Sequence, residues 1–422
     1  MKEINAVDFQ KEVLNGGKVV LDFYSTECPP CEALAPKFES LAELYGSAIE
    51  FLKIFRQQNR ELADQLSVKS SPTLLFFDNG KEVAERLAGG VKRSDIVTAL
   101  NSMVSVERAN AIAAQIKPSV SEYDVIILGA GPGGLTAGLY LCQAKINTVL
   151  VDIALPGGHV STTHEVSNYP GFIEPQKGYM LSHNMSEQTK ACGTAYKVAV
   201  DVTKVDLIHK EVVIDDFETL RAKKIIIATG TSPNLTGADG EKELKGKGIS
   251  YCATCDAKYF VDKEAIVIGG GNSAVEESDF IAKFASKVTI VHQFDTFTAN
   301  KTAQEKVLAN PKINVKFEHE PRAFRREGDK IVVVVEDLKT KESKELVSDG
   351  AFIFIGMKPN TALFHDRLNL DKWGYIKTDE DMRTSLPDVY AVGDIISKKY
   401  RQITTAVADG TIAAISIARE LN

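Results

Sequence analysis

Two glycine-rich loops, each directly behind a short apolar run, constrain this 422-residue chain more than any other feature. The first is Gly129-Ala130-Gly131-Pro132-Gly133-Gly134, after Asp124–Leu128; the second is Gly269-Gly270-Gly271-Asn272-Ser273-Ala274, after Ala265–Ile268. Strand, glycine turn and helix in that order open a dinucleotide-binding βαβ unit. The first glycine allows the tight turn, the second lets backbone approach a pyrophosphate, and the third permits close packing of helix on strand. Gly129, Gly131 and Gly134 fill these places in the first loop, with Gly133 beside them. In the second, Gly269 and Gly271 do so, Ala274 takes the third place, and Asn272 and Ser273 open the helix. A helix N-terminus then meets phosphate with free N–H groups. Asp152 follows Thr148–Val151, 18 residues after Gly134, where a carboxylate accepts from a ribose hydroxyl. The matching place in the second unit, 21 residues past Gly271, is His292, followed by Gln293 and Phe294.

Six cysteines are too few for a disulfide framework, yet four of them form two Cys-x-x-Cys pairs. Cys28-Pro29-Pro30-Cys31 and Cys252-Ala253-Thr254-Cys255 lie more than half the chain apart, which is not a zinc spacing, so no metal site is expected. A dithiol next to a nucleotide loop points to stepwise electron transfer, and a second dithiol to where the electrons go. Cycling thiols fit a reducing, cytoplasmic setting. Cys28 ends the approach from the strand Lys18–Tyr24 and precedes the helical pattern Glu32–Tyr45, so it is expected to be the exposed attacking sulfur, with Cys31 resolving. Asp22 is a carboxylate in an apolar strand; burial raises its pKa and suits it to exchange a proton with Cys31. Asp256, directly after Cys255, gives the second pair an acid–base group. Cys142, in an apolar helical run, reads as a buried inert thiol.

The remaining organisation follows from pattern. Residues 1–105 read as β-α-β followed by β-β-α, with strands at Lys18–Tyr24, Phe51–Phe55, Thr73–Phe77 and Glu82–Leu87 and a last helix from near Ser94. Residues 106–121 are expected to be a helix and connector broken at Lys117-Pro118, with a new unit opening at Tyr123. A net charge of −7 with no Lys/Arg block argues against nucleic acid as the main partner. Glycines and a proline break the most apolar stretches, and the start lacks the apolar core of a signal peptide, so no membrane span is expected.

These residues resemble known families. Residues 122–422 resemble low-molecular-weight thioredoxin reductase along their whole length. The resemblance rests on Gly129–Gly134, Thr163-His164-Glu165-Val166-Ser167-Asn168-Tyr169-Pro170-Gly171-Phe172, Ala228-Thr229-Gly230, Cys252–Asp256, Gly269–Glu277, Gly356–Thr361, Gly393-Asp394 and Arg401-Gln402. Residues 1–105 resemble thioredoxin, with Asp22, Lys53, Cys28, Cys31 and Pro72 at its characteristic places; that family's proline is cis. The implied fold is α/β: an N-terminal thioredoxin fold, then two Rossmann-like, three-layer ββα nucleotide-binding domains, one inserted in the other. Residues 122–234 and 357–422 would bind FAD, and 235–356 would form the NAD(P)-binding-like domain carrying the redox pair. Gly157, Gly158, Asn168, Gly230, Gly393, Asp394, Arg401 and Gln402 would line the FAD. Cys255 would face the flavin, Cys252 would attack the incoming disulfide, and Asp256 would handle protons. The resemblance also implies a homodimer and a large rotation of the 235–356 domain.

Two departures bear on function. Thioredoxin carries tryptophan before its first cysteine and glycine after it; here Glu27 and Pro29 stand there. The reductase signature for NADPH has two arginines after a histidine and a third further on; in His292-Gln293-Phe294-Asp295-Thr296-Phe297-Thr298 the histidine remains and all three arginines are gone, so a 2′-phosphate lacks its charge-assisted partners. Lys301 reads as a solvated lysine. The expected activity is a flavin-dependent thioredoxin-disulfide reductase fused to its thioredoxin, passing electrons from NADPH or NADH through FAD and Cys252–Cys255 to Cys28–Cys31 and client disulfides. Alternatives are a reductase driven by ferredoxin or another reduced protein, and a peroxiredoxin-reducing flavoprotein.

Overall fold

A computed structural model describes residues 1–163, 166 and 168–421, with all side chains in them except those of Thr254, Cys255 and His365. The quoted residues His164, Glu165 and Ser167 lie outside the described set. The chain forms three units, each with its own core, the third inserted within the second.

The N-terminal unit is a mixed sheet in the order Lys2–Ile4, Glu50–Phe55, Lys18–Tyr24, Thr73–Asp78, Lys81–Glu82, with Leu87–Ala88 also paired to Thr73–Asp78. Strand Lys18–Tyr24 runs parallel to Glu50–Phe55 and antiparallel to Thr73–Asp78. The helix Pro29–Tyr45 buries Leu34, Phe38, Leu41 and Tyr45 on one stripe against it. Pro29 and Pro30 suit its first turn, where a missing N–H costs no helical bond. The strand expected over Glu82–Leu87 is broken in two. Val83 keeps one bond to the Phe76 carbonyl, and Arg86 turns back to bond Glu82 twice, at 2.6 and 2.7 Å, and the Leu66 carbonyl at 2.6 Å.

The expected connector 106–121 is mostly structure. Helix Val106–Ala113 drops Ile112 into the N-terminal core, and strand Ser119–Leu128 begins five residues earlier than Asp124. Only 114–118 join the two. Pairing explains the early start: Ser119–Tyr123 lie beside Glu218–Ala222, so the strand is fixed well before its apolar half.

The second unit has a seven-stranded sheet ordered Val202–Asp206, Glu211–Ile214, Glu218–Ile227, Ser119–Leu128, Thr148–Asp152, Ala195–Val198, with Val389–Ala391 beside Ile225–Ile227. Val125, Ile126, Ile127 and Leu128 are all buried, as a parallel strand covered on both faces requires. Helices Pro132–Gln143 and Ile403–Leu421 cover one face. The third unit, inserted between Thr231–Pro233 and Met357–Pro359, has a parallel sheet ordered Ile249–Ser250, Gly350–Ile353, Glu264–Ile268, Lys287–Val291, Ile313–Lys316, with a three-stranded antiparallel sheet His319–Glu327, Lys330–Asp337, Ser343–Ser348.

Ile112 sits in the N-terminal core, so Ile112→Ala should lower that unit's stability by about 2–4 kcal/mol. Calorimetry should show one transition shifting down and that of the second unit unmoved; an unchanged profile would detach the helix from this core.

Candidate redox and nucleotide sites

Cys28 is the N-cap of the helix Pro29–Tyr45, and the Cys31 N–H points at its Sγ at 3.2 Å. Cys28 and Cys31 form a disulfide. The Ser71–Pro72 peptide is cis, and the Ser71 carbonyl lies 3.4 Å from Cys28 Sγ. Cys28 was expected to stand exposed, but it is only 7% accessible because the Ser71–Pro72 turn and its own helix enclose it. Glu27 sits just ahead with φ of 50°, a left-handed conformation that costs a non-glycine residue roughly 1 kcal/mol or more. Asp22 is 5% exposed, and its Oδ1 has no hydrogen-bond partner. Burial pushes its carboxyl up to about 7, against a smaller pull from the Lys53 ammonium.

At the second pair, Cys252 precedes the short helix Ala253–Asp256 and is disulfide-bonded. The Cys255 side chain lies outside the described residues. Ser250 organises this turn: its Oγ donates to Asp256 Oδ2 at 2.5 Å and accepts from the Cys252 N–H at 3.1 Å. Sequence reading missed Ser250, whose only signal is its place two residues before Cys252. Cys142 is half-buried rather than buried, because its thiol turns to the helix-terminal Cys192 carbonyl at 2.6 Å. Burial, then the nearby Cys192 thiol, push it up.

The first glycine loop makes a cradle that FAD fits. Gly129 has φ of 111°, and a Cβ on it would strike the Ala228 carbonyl; one on Gly134 would strike the Gly129 carbonyl. A Cβ on Gly131 would meet nothing, which leaves backbone open at the helix N-terminus. Gly158 passes close over Gly131, Gly157 hydrogen-bonds the Ala130 carbonyl, and Gly133 lies against Gly393. Asp152 accepts the Ala130 N–H at 2.6 Å and the Ala154 N–H at 2.8 Å, so it fixes the loop as well as facing the site; burial pushes it up. Asp394 Oδ1 is buried with no hydrogen-bond partner, the Lys398 ammonium lying 3.9 Å from it, which suits an acceptor for a polar ligand chain. Burial raises it as well. Asn168 donates to Gln402 at 3.2 Å, bringing together two residues far apart in sequence, and Gly230 carries a left-handed φ of 62°. Arg401 stacks 4.0 Å from the Tyr375 ring centroid and donates to the Asp394 carbonyl.

The second loop is built differently. Gly269 has φ of 135°, and Gly271 caps the helix Asn272–Ile281. The His292 ring lies under Gly270, so close that a Cβ there would strike it. It stacks on Phe297 at 5.9 Å, hydrogen-bonds the Thr296 carbonyl, and is pushed down by burial. A neutral, packed imidazole thus stands where a ribose-binding acid was sought. Asn272 Oδ1 accepts from both the backbone and side chain of Asn300, at 2.7 and 3.1 Å. Ser273 follows on that helix, and Lys301 is the exposed first residue of the helix Lys301–Leu308. Among the described residues no cluster of His, Cys, Asp or Glu is placed to hold a metal ion, and no helix is long and apolar enough to cross a membrane.

A family model for pyridine nucleotide-disulphide oxidoreductases matches residues 123–410. The chain belongs to that family. A thioredoxin model matches residues 1–102, so the N-terminal unit is a thioredoxin domain. Thioredoxin reductase of Peptoclostridium acidaminophilum is 44% identical over 299 residues, covering 69% of this chain and 95% of that one. A 34.2 kDa protein in the rubredoxin operon of Clostridium pasteurianum is 41% identical over 295 residues, covering 70% and 96%. The solved thioredoxin reductase of Streptococcus pyogenes superposes with a TM-score of 0.66 at 36% identity, covering 71% of this chain and 98% of that one.

Two outcomes follow. Gly134→Val should abolish flavin retention, because the new side chain strikes the Gly129 carbonyl; the purified variant should be colourless while wild type is yellow. Asp22 has a folded pKa above its unfolded value, so its contribution to stability is full below the unfolded value near 3.8 and lost as pH rises through about 7. Asp22→Asn should therefore stabilise the thioredoxin domain at pH 8, by up to about 4 kcal/mol at about 1.4 kcal/mol per pKa unit, and show no gain near pH 4. Denaturant midpoints at the two pH values check it.

Proposed function

We propose that this chain is a thioredoxin-disulfide reductase that carries its own thioredoxin and drives both from FAD held in the 129–134 cradle. The observation that carries this reading is the presence, in one chain, of that cradle and of two disulfides, each opening a helix, at Cys28 and Cys252. FAD supplies two-electron uptake from a donor and release to a sulfur couple. Gly129, Gly131, Gly133, Gly134, Asp152, Gly157, Gly158, Asn168, Gly230, Gly393, Asp394, Arg401 and Gln402 would hold it. Reduced Cys252 attacks Cys28 Sγ; the Cys28–Cys31 bond breaks, a Cys252–Cys28 bond forms, and Cys31 leaves as thiolate. Cys255 then attacks Cys252, restores their disulfide and frees Cys28. Asp256, oriented by Ser250, and Asp22 exchange the protons. Cys28 next attacks a client disulfide, and Cys31 resolves it. A homodimer in the cytoplasm is the expected setting, which size-exclusion chromatography and fractionation test.

NADPH or NADH is the donor this reading starts from, bound at Gly269, Gly271, Asn272 and Ser273. A second reading, a reduced protein such as ferredoxin, is favoured by the packed His292 and by the absence of arginines from Gln293 to Thr298. Stopped-flow flavin bleaching separates them: reduction by either nicotinamide supports the first, and reduction by ferredoxin alone the second. Cys252→Ser should keep flavin reduction and lose client-disulfide reduction by at least about 100-fold; an unaltered client rate would overturn the relay.

A further inference from the structure

The redox helix of the thioredoxin domain faces the FAD unit. Lys37, on that helix, donates to the carbonyls of Val198 and Ala199 across the gap, at 3.0 and 2.6 Å, and to its own Val91 carbonyl at 3.1 Å. Ala199 holds φ of 52°, a left-handed turn just after the strand Ala195–Val198. Lys92 pairs with Asp201 at 2.8 Å, and Ser94 donates to the same carboxylate. Lys190 pairs with Glu32, four residues after Cys28. The Arg93 guanidinium lies 5.1 Å from the Phe217 ring centroid. These bonds all reach the FAD unit between Lys190 and Asp201.

A cleft of about 470 Å³ remains between Pro29, Glu32, Ala33 and Pro36 of the redox helix and Pro156, Ser186, Glu187 and Lys190 of the FAD unit. The first turn of the redox helix, starting one residue after Cys28, thus lines this cleft opposite the FAD unit. The seat is polar and incompletely packed, the character of an interface that opens and closes. Burial pushes the Lys37 ammonium down to about 8, so near neutral pH it still brings its charge to the three carbonyls.

We infer that this edge of the FAD unit, from Lys190 to Asp201, is a seat that latches the thioredoxin domain with its redox helix inward, and that the domain must leave it before Cys28 meets a client protein. This rests on the reading of Cys28 as the client-facing sulfur. Atoms and electrons balance as in ordinary exchange: the freed Cys28 thiolate takes one client sulfur, the client's other sulfur leaves as thiolate, and Cys31 completes the disulfide.

The test uses the full chain, reduced in advance with dithiothreitol and freed of it, so that neither flavin nor donor is needed. Lys37→Met combined with Lys92→Glu removes the carbonyl clamp and sets like charge against Asp201. Insulin disulfides should be reduced three-fold or more faster by the variant, oxidised glutathione at the wild-type rate, and protease cleavage within 114–118 should quicken. Unchanged insulin reduction overturns the inference, whether or not cleavage quickens; so does an equal gain with both disulfides, which would place the effect in the thiol itself. Absence of insulin reduction by wild type and variant alike, with glutathione still reduced, would instead sink the client-facing role of Cys28. Calorimetry of the variant guards against misfolding: if the thioredoxin transition drops, Lys190→Glu, on the FAD-unit side, replaces the pair with the same outcomes.

Discussion

The FAD unit depends on one close approach of backbone to backbone. A Cβ on Gly410, in the C-terminal helix Ile403–Leu421, would strike the Gly133 carbonyl, and one on Gly134 would strike the Gly129 carbonyl. Two segments far apart in sequence, 129–134 and the helix around Gly410, therefore meet where neither carries a side chain. That contact seats the helix Pro132–Gln143 on its strand and brings Gly393 and Asp394 beside the loop, although 235–356 intervene in the chain. Any bulk at this point separates the helices and tilts the N-terminus that must face a pyrophosphate. The two halves of the unit thus become one site through absent atoms rather than through an added interaction.

The thioredoxin domain places its charges with similar economy. Asp22 is buried without a partner for Oδ1 on the strand that leads toward Cys28, and its elevated pKa leaves it able to gain or lose a proton near neutrality. Glu27, held in a left-handed turn, adds negative charge beside the first cysteine. A thiolate at Cys28 is favoured by the helix N-terminus and opposed by Glu27. The balance differs from that of a thiol flanked by tryptophan and glycine.

Local pattern made much of this visible. The strand–glycine–helix order gave both nucleotide units, because glycine and apolar runs act within a few residues of one another. The Cys-x-x-Cys pairs and Asp22 were legible for the same reason. What stayed hidden is non-local. Gly410 looks like a helix-weakening residue until the Gly133 carbonyl is seen against it. His292 kept its place in the pattern but is a packing residue beneath Gly270, which only the crossing of two loops reveals. Cys28 read as exposed because a helix N-terminus is exposed in isolation, and Ser71–Pro72, 43 residues on, covers it. Lys37 sits on a helix face that sequence leaves to solvent; its acceptors are carbonyls, which carry no sequence signature.

The proposed relay needs Cys252 and Cys28 to meet, and the joints between the units limit what moves. The inserted unit is joined to the FAD unit by two crossings that form a three-pair antiparallel ribbon, Thr231–Pro233 with Met357–Pro359. The hydrophobic clusters of the two units share no residue, and neither shares one with the thioredoxin domain. The thioredoxin domain hangs from 114–118, about 18 Å when extended at roughly 3.5 Å per residue. Lifting the thioredoxin domain from its seat therefore breaks the polar contacts of Lys37, Lys92, Ser94 and Lys190 and parts Leu155 from Gly90 and Phe217 from Arg93, while the buried cores stay whole. That move is set by a handful of part-buried hydrogen bonds and ion pairs, whose net worth of about 1 kcal/mol apiece is small beside the stability of any unit that moves.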